Sequence, residues 1–129
     1  VGDSRIYLLR DGEMQQMTDD HSLVGELVRA GFLTPEQAEN HPNKNVITRA
    51  VGTEEGIEVD LAVEERRAGD TWMICSDGLH GMVSDEALEK LLKAHGPEKA
   101  AELMMEAALE NGGRDNISVV VLHDGEGAR

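Results

Sequence analysis

Three aspartates share one kind of setting in this sequence. Asp3 follows Gly2 and opens the first apolar run. Asp77 stands just past the run Thr71–Cys75, with Gly78 behind it. Asp115 precedes Asn116 and the last apolar run. A residue at a strand end is fixed by the sheet while staying accessible, and a glycine beside it lets another backbone come close. Carboxylates gathered in one pocket repel each other unless a cation lies between them. Hard carboxylate oxygens select Mg²⁺, Mn²⁺ or Ca²⁺ over zinc. Each aspartate taken alone also suits an ordinary turn, where Asp is common. Spacing therefore leaves open whether the three converge.

Other chemistries fail on their own residues. The position six residues past Cys75 holds Gly81 and not arginine, so the thiolate phosphate loop of tyrosine phosphatases is absent, and Cys75 reads as an inert core thiol. Ser76 lies in Cys75-Ser76-Asp77-Gly78, which is not a nucleophile elbow. Neither phosphate-binding nor dinucleotide-binding glycine loops occur. The five histidines, at 21, 41, 80, 95 and 123, lack zinc spacing. His95 suits a helix end, His123 a strand end, and His80 lies three residues past Asp77.

The elements that must position these residues follow from pattern. Asp11-Gly12 between apolar runs predicts a β-hairpin over residues 4–18, because a tight primed turn needs positive φ. Ser22 caps a predicted helix over 23–30, stopped by Gly31. Thr34-Pro35-Glu36-Gln37 is a capping box that starts a short second helix. Residues 41–56 read mostly as loop. Ile57, Val59, Leu61 and Val63 alternate with acidic neighbours, which predicts a half-buried strand over 57–64. Thr71–Cys75 is continuously apolar and reads as a strand buried on both faces. Ser84 caps a helix to about Ala94, Gly96-Pro97 separates it from a helix ending at Asn111, and 117–122 is a final strand. Strands and helices do not alternate regularly, so an α+β architecture with mainly antiparallel strands fits.

Composition sets the frame. The 129 residues suffice for one domain with a core, which must be aliphatic because aromatic residues are only 2%. Acidic residues outnumber basic ones 26 to 12, giving a formal charge of -14. That field repels nucleic acid and anionic membranes, so no nucleic acid or membrane partner is expected. No apolar run approaches the ~20 residues of a membrane span. A single cysteine excludes an internal disulfide, which makes a cytoplasmic setting the expectation.

Five segments then occur in a telling order: Gly2-Asp3-Ser4-Arg5, Thr18-Asp19-Asp20-His21-Ser22, Ile47-Thr48-Arg49-Ala50-Val51-Gly52, Cys75-Ser76-Asp77-Gly78-Leu79, and Gly113-Arg114-Asp115-Asn116-Ile117-Ser118 running on into Val121. This series resembles the PPM family of metal-dependent serine/threonine protein phosphatases, especially its compact bacterial members. It resembles the C-terminal part of the catalytic domain over residues 1–123, with 124–129 left as a flexible tail. The resemblance implies an antiparallel β-sandwich flanked by helices, of which only part is present. It also implies that Asp77 ligates the paired catalytic metals, that Asp115 is the last metal ligand, and that Asp3 serves an additional metal with Asp77. By the same resemblance Asn116 and Gly78 would support these ligands, and His21, Ser22 and Thr48 would fall in the flap beside the active site, with Arg49 pinning it. Two or three Mn²⁺ or Mg²⁺ ions are implied. Two of them, about 3.5–4 Å apart, acidify a water that attacks phosphorus in line, and no covalent phosphoenzyme is needed. The implied partners are phosphorylated proteins, including a bacterial serine/threonine kinase or its targets.

The chain also departs from the family pattern. The segment D-G-x-G-G, the phosphate-gripping arginine and several strands are absent, and the opening Val1-Gly2-Asp3 lacks a Met. The expectation is an inactive or nearly inactive chain that needs an upstream half, or that forms a homodimer through surface left uncovered. A non-catalytic cation-binding or regulatory relative, and a structural domain whose aspartates merely close turns, stay open as alternatives.

Overall fold

The computed structural model describes residues 1–125. Along the chain run β1 (Arg5–Arg10), β2 (Glu13–Gln16), α1 (Leu23–Arg29), α2 (Pro35–Glu39), β3 (Thr71–Cys75), α3 (Asp77–His80), α4 (Asp85–Ala94), α5 (Pro97–Glu110) and β4 (Val119–His123). Two compact units divide them. One contains Val1–Asp3 and Asp19–Val63; the other contains Ser4–Thr18 and the chain from Glu64 onward.

The second unit is an α+β layer. Its sheet has the order β2-β1-β3-β4 with every pair antiparallel. The hairpin closes as its sequence predicts: Asp11 and Gly12 take φ of 54° and 79°, and Arg10 pairs with Glu13. In register, Tyr7 faces Met73 and Met73 faces Val121, which puts these three on one side of the sheet. Helices cover that side. Ser84 caps α4 by accepting the Ala87 N–H at 3.2 Å, and Pro97 opens α5. Leu88 and Leu92 of α4 and Ala100, Met104 and Ala108 of α5 join Tyr7, Met73, Cys75, Leu79 and Val83 in one buried cluster. Complete burial of a side chain such as Met73 contributes about 1.5–3 kcal/mol. The Tyr7 hydroxyl donates to Asp85 at 2.9 Å and accepts from Arg5 at 2.8 Å, while burial pushes its pKa well above the usual range.

The other side of the sheet corrects the expectation that Thr71–Cys75 is buried on both faces. Ile74 is 41% exposed, Val120 51% and Leu122 55%. The helices pack on one face only, so these three residues stay open despite their apolar type, while Leu8 on the same side is buried and Trp72 half-buried. At the start of β3, Asp70 is buried and gripped by Arg10 through two contacts, at 2.9 and 2.7 Å, and by the Arg67 N–H at 3.1 Å. Asp124, which falls in the expected tail, forms an ion pair with Arg66 at 2.8 Å and exchanges backbone hydrogen bonds with Gly69 and Asp70. Positions 126–129 of that tail lie outside the described residues.

The first unit is built from caps and turns. Ser22 accepts the Gly25 N–H at 3.0 Å and starts α1, which buries Val24. Thr34 and Gln37 form the reciprocal capping box of α2, whose residues are all at least partly exposed. A single bridge joins Ser22 to Ile47. The strand expected over 57–64 does not form among the described residues: no pairing involves them, and Leu61 and Val63 are 90% and 98% exposed. Alternation describes a face, but a strand also needs a neighbour to take its N–H and C=O groups.

Candidate functional site

Asp77 and Asp115 are brought to one end of the sheet. The register pairs Cys75 with Val119, so the exit of β3 and the entry to β4 lie side by side. Ser76 locks the two together. Its N–H donates to the Ser118 carbonyl at 3.0 Å, and its hydroxyl accepts the Ser118 N–H at 3.0 Å. Asp77 then opens α3, a single helical turn that the sequence reading missed. The available signal is Ser76 before an acidic first residue, an ordinary helix start.

Gly78 makes the closest approach at this end. A Cβ added there would stand 2.0 Å from the Asn116 carbonyl oxygen, so only glycine fits without moving backbone. The residues next to Asp77 and Asp115 thus touch through main chain. Asp115 is exposed, and its Oδ1 accepts the Asn116 N–H at 2.7 Å. Asn116 meets Asp115 through its backbone N–H. Asp77 is half-buried. Cys75 is buried in the core, away from any role as an exposed nucleophile.

The remaining site candidates lie in the first unit. Gly2 is held from both sides by His21. The Gly2 N–H donates to His21 Nδ1 at 3.2 Å, and the His21 N–H donates to the Gly2 carbonyl at 2.8 Å. Asp3 is the next residue and is half-buried. The ring of His21 is buried, and its Nε2 lies 2.7 Å from Asp60 Oδ2. Arg49 Nη1 holds the other oxygen of Asp60 at 2.8 Å, with Glu58 3.5 Å from Nη2. The hydrogen bond from Arg49, and after it that from His21, holds the Asp60 carboxyl below the usual range. The same Asp60 hydrogen bond raises Arg49. Ser22 is buried as the cap of α1, and Thr48 is exposed, with its N–H donating to the His21 carbonyl at 2.8 Å. Asp60, the centre of this cluster, was not singled out in the sequence. It lies 39 residues from His21 in a stretch read as strand.

Among the described residues no three His, Cys, Asp or Glu side chains are grouped to hold a metal ion. The oxygen donors Asp77 and Asp115 nevertheless suit Mg²⁺ or Mn²⁺ in kind, since Mg²⁺ keeps several waters and is commonly held by one or two carboxylates. The β3–β4 pairing brings their segments to one place, where Gly78 lies against Asn116. Among the described residues no helix is long and apolar enough to cross a membrane.

No protein-family model matches the chain. It is 45% identical over 123 residues to a serine/threonine phosphatase, stp, of Listeria innocua, covering 95% of this chain and 49% of that protein. The PPM Ser-Thr phosphatase MsPP of Mycobacterium smegmatis, solved in complex with cacodylate, superposes with a TM-score of 0.88 at 39% identity, over 97% of this chain and 54% of that one. The catalytic domain of the phosphatase PstP, solved with two manganese ions, gives 0.78 at 43% identity over 94% of this chain and 50% of that one. The chain thus spans about half the length of these relatives.

Proposed function

Because the chain is a relative of the bacterial PPM-type serine/threonine phosphatases, we propose that it supplies part of a metal-dependent site hydrolysing phosphoserine and phosphothreonine in proteins. The observation that carries this reading is the close approach of Gly78 to Asn116, which joins the segments bearing Asp77 and Asp115. In this proposal Asp77 and Asp115 hold the catalytic Mn²⁺ or Mg²⁺, and Asp3 binds a further ion. When bound, such cations supply Lewis-acid charge and acidify water. Gly78 and the Asn116 N–H fix where the two carboxylates stand. His21, Ser22, Thr48 and Arg49 belong to the flap that bears on substrate choice. Phosphorylated proteins, among them a kinase or its targets, are the proposed substrates, and the cytoplasm is the proposed location.

The chain alone is proposed to be inactive, because the D-G-x-G-G segment and the phosphate-gripping arginine of the family pattern do not occur in it. The open face of Ile74, Val120 and Leu122 is the proposed surface for a half that supplies them or for a second copy. Hydrolysis of p-nitrophenyl phosphate tests the proposal, with Mn²⁺ and with chelator, for the chain alone and for the chain completed with the other half of the Listeria innocua relative. The expected result is no turnover alone, Mn²⁺-dependent turnover when completed, and loss of turnover in Asp77→Asn. Mn²⁺ binding without turnover in the completed protein would instead identify a non-catalytic relative. Turnover indifferent to chelator and to Asp77→Asn would overturn the reading altogether.

A further inference from the structure

We infer that His21 is a positioning residue: through the hydrogen-bonded series Arg49–Asp60–His21–Gly2 it fixes the backbone that carries Asp3. The inference rests on the proposed role of Asp3 as a metal ligand.

The contacts of the His21 ring fix its tautomer. A backbone N–H can only donate, so the contact from Gly2 at 3.2 Å requires Nδ1 of His21 to be the acceptor. The proton of a neutral ring then sits on Nε2, where it donates to the Asp60 carboxylate at 2.7 Å. Asp60 in turn is oriented by the Arg49 guanidinium at 2.8 Å. One end of the series is thus a charged pair 11 residues apart in sequence, and the other is the N–H of the residue before Asp3. The ring is 3% exposed, so water does not compete for it.

The His21 main chain completes the grip. Its N–H binds the Gly2 carbonyl at 2.8 Å, so the peptide groups on both sides of Gly2 are held by one residue. Gly2 has φ of 87°, a conformation that side chains rarely adopt, and its α-carbon faces the Arg49 carbonyl, which an added Cβ would meet at 3.6 Å. A glycine held at both its N–H and C=O leaves the next residue little freedom to swing. This is what a carboxylate ligand needs if the cost of ordering it is to be met before the ion arrives.

The substitutions separate the two arms of the ring. His21→Asn keeps an acceptor near the Nδ1 position but is too short to reach Asp60. His21→Gln keeps a donor at the reach of Nε2 but loses the acceptor for Gly2. His21→Ala loses both. The measurement is amide NMR on the chain: hydrogen exchange at Gly2, and line broadening of Asp3, Asp77 and Asp115 during titration with Mn²⁺. The expected results are Gly2 exchange at least about 10-fold faster in His21→Ala and His21→Gln, partial protection in His21→Asn, and Asp3 broadening that requires several-fold more Mn²⁺ in the first two variants. Broadening of Asp77 and Asp115 should not change, an outcome that general destabilisation would not give. If Asp3 broadens in the wild type and equally in His21→Ala and His21→Gln, the positioning role is wrong while the ligand role stands. If Asp77 broadens in the wild type and Asp3 never does, the ligand role of Asp3 is wrong and the inference falls with it.

Discussion

The segments that carry the three aspartates are held in two different ways. At the exit of β3, main chain meets main chain: Gly78 lies against the Asn116 carbonyl and the Ser76 N–H donates to the Ser118 carbonyl at 3.0 Å, with one added side-chain bond from the Ser118 N–H to the Ser76 hydroxyl. Around Gly2 the hold is made by side chains distant in sequence, a buried histidine backed by Asp60 and Arg49. A backbone contact tolerates almost no added volume, because neither partner can turn away. A side-chain series can lose one member and keep part of its function, because each link is one hydrogen bond of modest net value.

The largest effect should therefore come from Gly78→Ala. Its methyl group cannot be accommodated 2.0 Å from a carbonyl oxygen, and the expected cost in urea unfolding is about 3 kcal/mol or more. A cost below about 1 kcal/mol would remove the distinction between the two kinds of hold.

Asp70→Asn comes next and sharpens the comparison, because it removes a side-chain hold inside the sheet unit. Asp70 is buried and paired with Arg10, so the expected loss is about 3 kcal/mol. The hydrogen bond from Arg10 lowers the Asp70 carboxyl below the usual range. Its contribution is therefore fully present above the unfolded value of about 3.9 and disappears as pH falls through the lower folded value. Stability measured from pH 6 to pH 2 should drop in the wild type and drop less in Asp70→Asn. Parallel curves would show that the pair does not titrate as described.

Smaller effects should follow at the two serines. Ser76→Ala removes the acceptor of the Ser118 N–H, and Ser22→Ala removes the cap of α1. Each should cost about 1 kcal/mol in thermal or urea unfolding. The smallest effect belongs to Val63→Ser, at a position 98% exposed, with an expected change within about 0.5 kcal/mol. A loss as large as that expected at Ser22 would mean that the 57–63 segment is packed after all.

The same contrast explains what could be read from the residues alone. The hairpin at Asp11-Gly12, the caps at Ser22, Thr34 and Ser84, and the break between α4 and α5 at Gly96-Pro97 depend on residues within a few positions of one another, and they appear where the pattern puts them. The segment from Ile57 to Val63 carries an equally clean alternation, yet it has no strand beside it among the described residues. Ile74, Val120 and Leu122 are apolar but exposed, because residue type records what a face can cover and not whether anything lies on it. Asp77 and Asp115 stood out because each sits at the end of an apolar run. Asp60 did not, since its partners His21 and Arg49 lie in other segments and neither spacing repeats. Local geometry is written in neighbouring residues, while a polar series across a unit is written only in the fold.

The central claim is that Asp77 and Asp115 are ligands for a divalent cation, and isothermal titration of the chain with Mn²⁺ tests it most directly. The account predicts saturable binding that chelator reverses and that both Asp77→Asn and Asp115→Asn abolish or weaken at least about 10-fold, with folding preserved. Binding that neither substitution changes, or no saturable binding in the wild type, would contradict it and leave these aspartates as residues that close turns.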